Sequence, residues 1–102
     1  WPPSCGDQEL IEDIVGKLGP TVYISLDLDA LDPAVMSAVG TPEPGGLGWY
    51  QLVSLLRRVA ETKRIVGFDI TELSPAEGPA ACSYTAAKLV YKLVAYATSF
   101  GR

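Results

Sequence analysis

Histidine is absent from this chain of 102 residues. That removes imidazole general bases, the Ser/His/Asp and Cys/His nucleophilic arrangements, and every zinc site that needs an imidazole ligand. Any catalysis must rest on carboxylates or be completed from outside the chain. Basic residues are also scarce, with 8 Lys and Arg against 12 Asp and Glu and a net charge of −4. Nucleic acid and anionic membranes reward a basic patch through counterion release, so neither is an expected partner. The cluster Arg57, Arg58, Lys63 and Arg64 falls at the end of a helical pattern, where the macrodipole favours cations. No apolar run approaches the length of a membrane span and no secretory signal opens the chain, so a soluble, cytoplasmic protein is expected. Cysteine is limited to Cys5 and Cys82, without metal spacing; both are expected as free or buried thiols rather than a bridge.

What is present is enough apolar material for one core. Hydrophobic residues make up 48% and charged residues 20%, which reads as a single globular domain over residues 1–102. Trp1 to Ser4, with Pro2 and Pro3, reads as a truncated entry. Asp7 is placed to cap a helix over 7–18, whose Leu10, Ile11, Ile14, Val15 and Leu18 follow helical spacing until Gly19-Pro20 stops it. Residues 21–28 are β-branched and aromatic at their start, as a strand requires. From Asp29 to Gly48 the chain carries Pro33, Pro42, Pro44 and the Gly45-Gly46 pair, and a loop this long in a compact domain is usually functional. Leu52, Val53, Leu55, Leu56 and Val59 mark a helix over 49–62, residues 64–72 a second strand, and an Ala-rich periodic run a closing helix over 82–98. The order αβαβα, with a helix between two strands, predicts a parallel pair. Two strands make an incomplete parallel sheet, so partner strands are expected from a missing N-terminal portion or from a second copy.

The segment Ser25 to Pro33 (SLDLDALDP) is the most informative. Strand alternation predicts Asp27 and Asp29 on one side, about 7 Å apart, at the carboxyl edge where α/β sheets bind ligands. Adjacent carboxylates repel unless a cation lies between them, and oxygen ligation selects magnesium, calcium or manganese. The spacing alone fits a pair of solvated acids equally well. Asp32 reads as a turn-former or supporting partner rather than a third ligand. Glu72 ends the second strand at the same edge, and Asp69, mid-strand, is expected to be buried and hydrogen-bonded to the acidic loop. Gly40 to Gly48 lacks the Gly-Lys-Ser/Thr ending of a phosphate loop.

Together, SLDLDALDP, the block GTPEPGGL at Gly40 to Leu47 and GFDITELSP at Gly67 to Pro75 closely resemble the C-terminal third of the ureohydrolase family of arginases, agmatinases and formimidoylglutamases. The resemblance runs from Val22 to Tyr96. It implies a C-terminal fragment of an arginase-like three-layer α/β/α fold. It further implies a manganese-dependent hydrolase of linear amidines, acting on a guanidino small molecule such as agmatine or arginine. By the same resemblance, Asp27 and Asp29 are ligands of a pair of manganese ions and Glu72 holds the guanidinium of the substrate. Three positions depart from the family pattern: Ser37-Ala38 replaces the usual Pro-Gly, Gly48 replaces a hydroxyl cap, and EGPAACS at Glu77 to Ser83 replaces the Tyr-Asp-His-type stretch of agmatinases. The family's histidine-bearing metal blocks lie upstream and have no counterpart here. The chain is therefore expected to offer no catalytic residue of its own, to bind metal weakly or not at all, and to be inactive alone. The competing reading is a non-catalytic assembly module that retains a remnant of the fold.

Overall fold

In a computed structural model, residues 5–100 are described. Residues 1–4 and the Cys5 side chain, and with them the truncated entry and one of the two thiols, lie outside that description. The elements follow in the order α1 (Cys5–Gly16), β1 (Thr21–Asp27), α2 (Trp49–Thr62), β2 (Arg64–Thr71) and α3 (Ala80–Ser99), with short 3-10 turns at Leu28–Ala30 and Pro75–Glu77. The expected order of helices and strands is present.

Several boundaries differ for physical reasons. Helix α1 starts at Cys5, so Asp7 is not its cap but a first-turn acid, where its charge still complements the macrodipole. It ends at Gly16 because the amides of Lys17 and Leu18 tighten onto the carbonyls of Ile14 and Val15, both at 3.1 Å. Strand β1 ends at Asp27, not Leu28, and the chain turns at once into the 3-10 segment. The predicted alternation of Asp27 with Asp29 therefore fails: Leu28 drops into the core, fully buried, and Asp29 leaves on a turn rather than on a strand.

The strands pair in parallel, from Thr21 opposite Arg64 to Asp27 opposite Thr71. A bulge beside Val22 and Tyr23 lets β2 insert Val66 as an extra, exposed residue, so that Tyr23 pairs with Gly67. This shift keeps Ile24, Leu26, Phe68 and Ile70 facing the main core, with Val22 and Ile65 in a smaller cluster under α1. All three helices contribute to these clusters on that side of the sheet. The other face carries Tyr23, Ser25, Asp27, Asp69 and Thr71 on register pairs. Among the described residues the three helices thus form one layer against the sheet.

The long segment after β1 is less of a loop than its turn chemistry suggests. Leu31, Met36, Ala38 and Val39 are all buried in the main core beside Leu52, Leu56, Leu89 and Leu93. Bridges from Leu31 to Leu47 and from Val39 to Leu73 tie it to its own far end and to the chain beyond β2. Hydrophobic burial therefore anchors the segment that follows the acidic strand end.

Candidate metal and substrate site

Parallel pairing brings the C-terminal ends of β1 and β2 to one edge of the sheet, and the register sets Asp27 directly opposite Thr71. The Thr71 hydroxyl donates to Asp27 Oδ1 at 2.5 Å. On the next turn, the Thr41 hydroxyl donates to Asp29 Oδ2 at 3.0 Å. Each aspartate is thus held by one carboxylate oxygen, through a threonine from a different part of the chain. The sequence does not single out these two threonines as partners of the aspartates. Both lie inside the quoted blocks, yet their aspartate partners are not visible there: Thr71 is matched to Asp27 by the cross-strand register, and Thr41 to Asp29 by the way its loop folds back.

That fold-back has a definite cause. Asp32 accepts hydrogen bonds from the amides of Ala34 and Gly45, both at 2.9 Å, which confirms it as a turn-former. The Ala34 amide chiefly, then that of Gly45, holds the Asp32 carboxyl below its usual range, against a smaller opposing effect of desolvation. The Asp32 amide donates to the Leu47 carbonyl at 2.8 Å and the Leu47 amide to the Ala30 carbonyl at 2.9 Å. Gly45 sits at φ +87°, in the left-handed region, and a Cβ on Gly46 would lie 2.8 Å from the Ala30 carbonyl oxygen. The GTPEPGGL block is therefore clamped to the turn that bears Asp29. At its far end the Gly48 amide, where a hydroxyl cap is absent, donates to the Gln51 side chain at 2.9 Å and starts α2.

Glu72 lies one residue beyond β2, exposed, at φ +77°. A left-handed conformation in a residue with a Cβ costs about 1–3 kcal/mol and persists only where neighbours impose it. Here the neighbours are identifiable: Leu73 bridges Val39 in the antiparallel sense, and the Ser74 amide donates to the Ala38 carbonyl at 2.7 Å. The chain must reverse between the parallel strand and that bridge, and Glu72 is the corner.

Asp69 behaves differently from the expectation. It is half-buried and accepts hydrogen bonds from the Tyr23 and Ser25 hydroxyls of β1, both at 2.9 Å, rather than from the acidic loop. Strand pleating places it on the same face as those two residues, pointing across to β1. The hydrogen bond to Asp69, with lesser help from desolvation and the neighbouring charge, pushes the Tyr23 phenol up from its ordinary value. Cys82 is buried and free, with its sulfur 3.7 Å from the Ser37 hydroxyl.

The edge collects two aspartates and, on the neighbouring strand end, one glutamate. Among the described residues no group of three or more His, Cys, Asp or Glu side chains is close enough to hold a metal ion. A cavity of about 370 Å³ between α1 and α2 is lined by Gln8, Ile11, Ser54 and the charged Glu12, Arg57, Arg58 and Glu61, and by none of the three edge acids.

Residues 5–95 match the model of the arginase family. The chain belongs to the arginase family. It is 51% identical over 84 residues to N(1)-aminopropylagmatine ureohydrolase of Thermus thermophilus, covering 82% of this chain and 28% of that protein. The counterpart from Synechocystis is 47% identical over 75 residues, with coverages of 74% and 24%. Among solved structures, proclavaminate amidino hydrolase from Streptomyces clavuligerus superposes with a TM-score of 0.84 at 33% identity, over 93% of this chain and 32% of that one. Agmatine ureohydrolase of Thermoplasma volcanium gives a TM-score of 0.81 at 39% identity, over 95% and 32%. The chain thus spans about a quarter of the length of the two curated relatives, as an arginase-family ureohydrolase segment whose two parallel strands and three helices match part of the family fold. Membership implies manganese in the complete enzymes of the family and guanidino compounds as their substrates.

Proposed function

We propose that this chain is the part of a manganese-dependent ureohydrolase that supplies Asp27 and Asp29 to the metal pair and Glu72 to the guanidinium of a substrate such as agmatine or arginine. The observation that carries the reading is the common edge: the β1–β2 register sets Asp27 opposite Thr71, and Glu72 is the next residue. The donor set fits the metal. Asp27 and Asp29 offer carboxylate oxygen, which suits a hard divalent cation, and among the described residues each has one oxygen engaged by a threonine hydroxyl. Two carboxylates are a partial shell, so the remaining ligands belong to the rest of the enzyme and the isolated chain holds the ion loosely.

Manganese, when bound, supplies the Lewis acidity that makes water nucleophilic at neutral pH. The chain's own contribution is binding and orientation. A guanidinium is planar, and the Glu72 carboxylate can accept two parallel charge-assisted hydrogen bonds from it, fixing the plane of the group. The strained corner at Glu72 supports this role, because strain of this kind is retained where a side chain must be aimed. A substrate carrying an amine-bearing chain beyond the guanidinium, as in the names of the two ureohydrolase relatives, is compatible with the acidic edge.

In a complete enzyme containing this segment, Glu72→Gln is expected to abolish most turnover while the metal content stays unchanged. The 102-residue chain alone, given manganese and agmatine or arginine, is expected to release no urea. Steady-state urea assays with metal analysis check both. Urea release by the short chain would defeat the incomplete-site reading, and full turnover in Glu72→Gln would return Glu72 to the role of a solvated acid.

A further inference from the structure

We propose that Thr41 and Thr71 are positioning residues that set Asp27 and Asp29 in advance for a hard cation; the proposal rests on the metal reading above. The carboxyl torsion of an aspartate is broad and roughly two-fold, so an unrestrained pair at an exposed strand end samples many orientations. Each restraint here comes from across the fold. Thr71 reaches Asp27 from the opposite strand, and Thr41 reaches Asp29 from the loop that Asp32 and Gly46 clamp against the Ala30–Asp32 turn. Fixing one oxygen of a carboxylate by a donated hydrogen bond fixes the direction of the other.

The two hydroxyls divide the work. Because Thr71 and Asp27 are register partners in the sheet, that restraint is as rigid as the strand pairing. The Thr41 restraint depends on the loop. Hydroxyls that donate in this way act through the ligands, and losing such partners typically weakens metal affinity by about 10–100-fold. Valine is nearly isosteric with threonine and cannot donate, whereas serine keeps the hydroxyl, so the two replacements separate hydrogen bonding from shape.

The test uses the 102-residue chain and manganese alone. Paramagnetic broadening of backbone amides detects even a loosely held ion and reports where it sits. Broadening is expected to centre on residues 27–32 in the wild type. Thr41→Val and Thr71→Val should each require about 10-fold more manganese for the same broadening, with Thr41→Ser and Thr71→Ser close to wild type. Undisturbed α3 amides confirm that each variant is folded; Thr41, in an exposed loop, keeps the test available if Thr71→Val perturbs the sheet. If both valine variants titrate like the wild type, the positioning role is wrong and the aspartates stand as ligands. If the wild type shows no broadening at residues 27–32, the aspartates of this chain are not set in advance for a cation and the proposal falls, while the metal reading of the complete enzyme, which draws its remaining ligands from outside this chain, stands.

Discussion

At Glu72 backbone strain and the proposed substrate contact fall on a single residue. Its left-handed backbone costs about 1–3 kcal/mol relative to an ordinary conformation, while glycine at the same place avoids that cost and loses roughly 0.5–1 kcal/mol of chain entropy instead. Glu72→Gly is therefore expected to leave thermal stability unchanged or slightly raised, whereas the same change within β2 would lower it. Thermal unfolding followed by circular dichroism checks this. A clear fall in midpoint would show that the Glu72 side chain contributes to the fold, and would weaken the case that its position is kept for a ligand. Asp32 is the opposite kind of acid: its oxygens are engaged by backbone amides, and its task is to hold the loop that carries Thr41.

At the scale of elements, α3 shows how one helix carries two surfaces. Cys82, Ala86, Leu89 and Leu93 form the buried stripe, and Leu89 is fully buried; Val90, its neighbour in sequence, is 40% exposed. Leu89→Ala removes packed atoms from a site with little room to relax and is expected to cost about 2–5 kcal/mol. Val90→Ala should stay within about 0.5 kcal/mol, because it touches a surface that the described residues leave open. Urea denaturation of both variants distinguishes them, and equal losses would mean that the exposed side of α3 is packed in solution. In the sheet, the hydroxyls of Tyr23 and Ser25 meeting Asp69 join β1 to β2 on the face that carries no helix, two register pairs before Asp27 and Thr71.

For the molecule as a whole, the two-stranded sheet has helices on one face only, and each strand pairs on one side only among the described residues. Parallel strands are ordinarily buried on both faces and extended by further strands, because their backbone groups need partners. Tyr84, Tyr91, Val90 and Val94 add an apolar patch on α3. The isolated chain is therefore expected to self-associate, with sedimentation velocity showing species heavier than a monomer that grow with concentration. A single monomeric boundary across the micromolar range would show that the open edges and faces are tolerated.

The sequence by itself determined the helices and strands, their order, the parallel pairing and the acidic edge, because these follow from periodicity, turn residues and the length of a crossover, all of which are local. The three ordered blocks also carry the likeness to the arginase family. Only the tertiary structure decided that Asp29 leaves the strand alternation on a 3-10 turn, that Asp69 is held by Tyr23 and Ser25, and that Thr41 and Thr71 hold the paired aspartates. It also showed that Leu31, Met36, Ala38 and Val39 make the apparent loop part of the core. Each of these depends on strand register or on a fold-back between residues distant in the chain. A bulge of one residue, such as the one at Val66, changes every later cross-strand partner, and no local pattern encodes it.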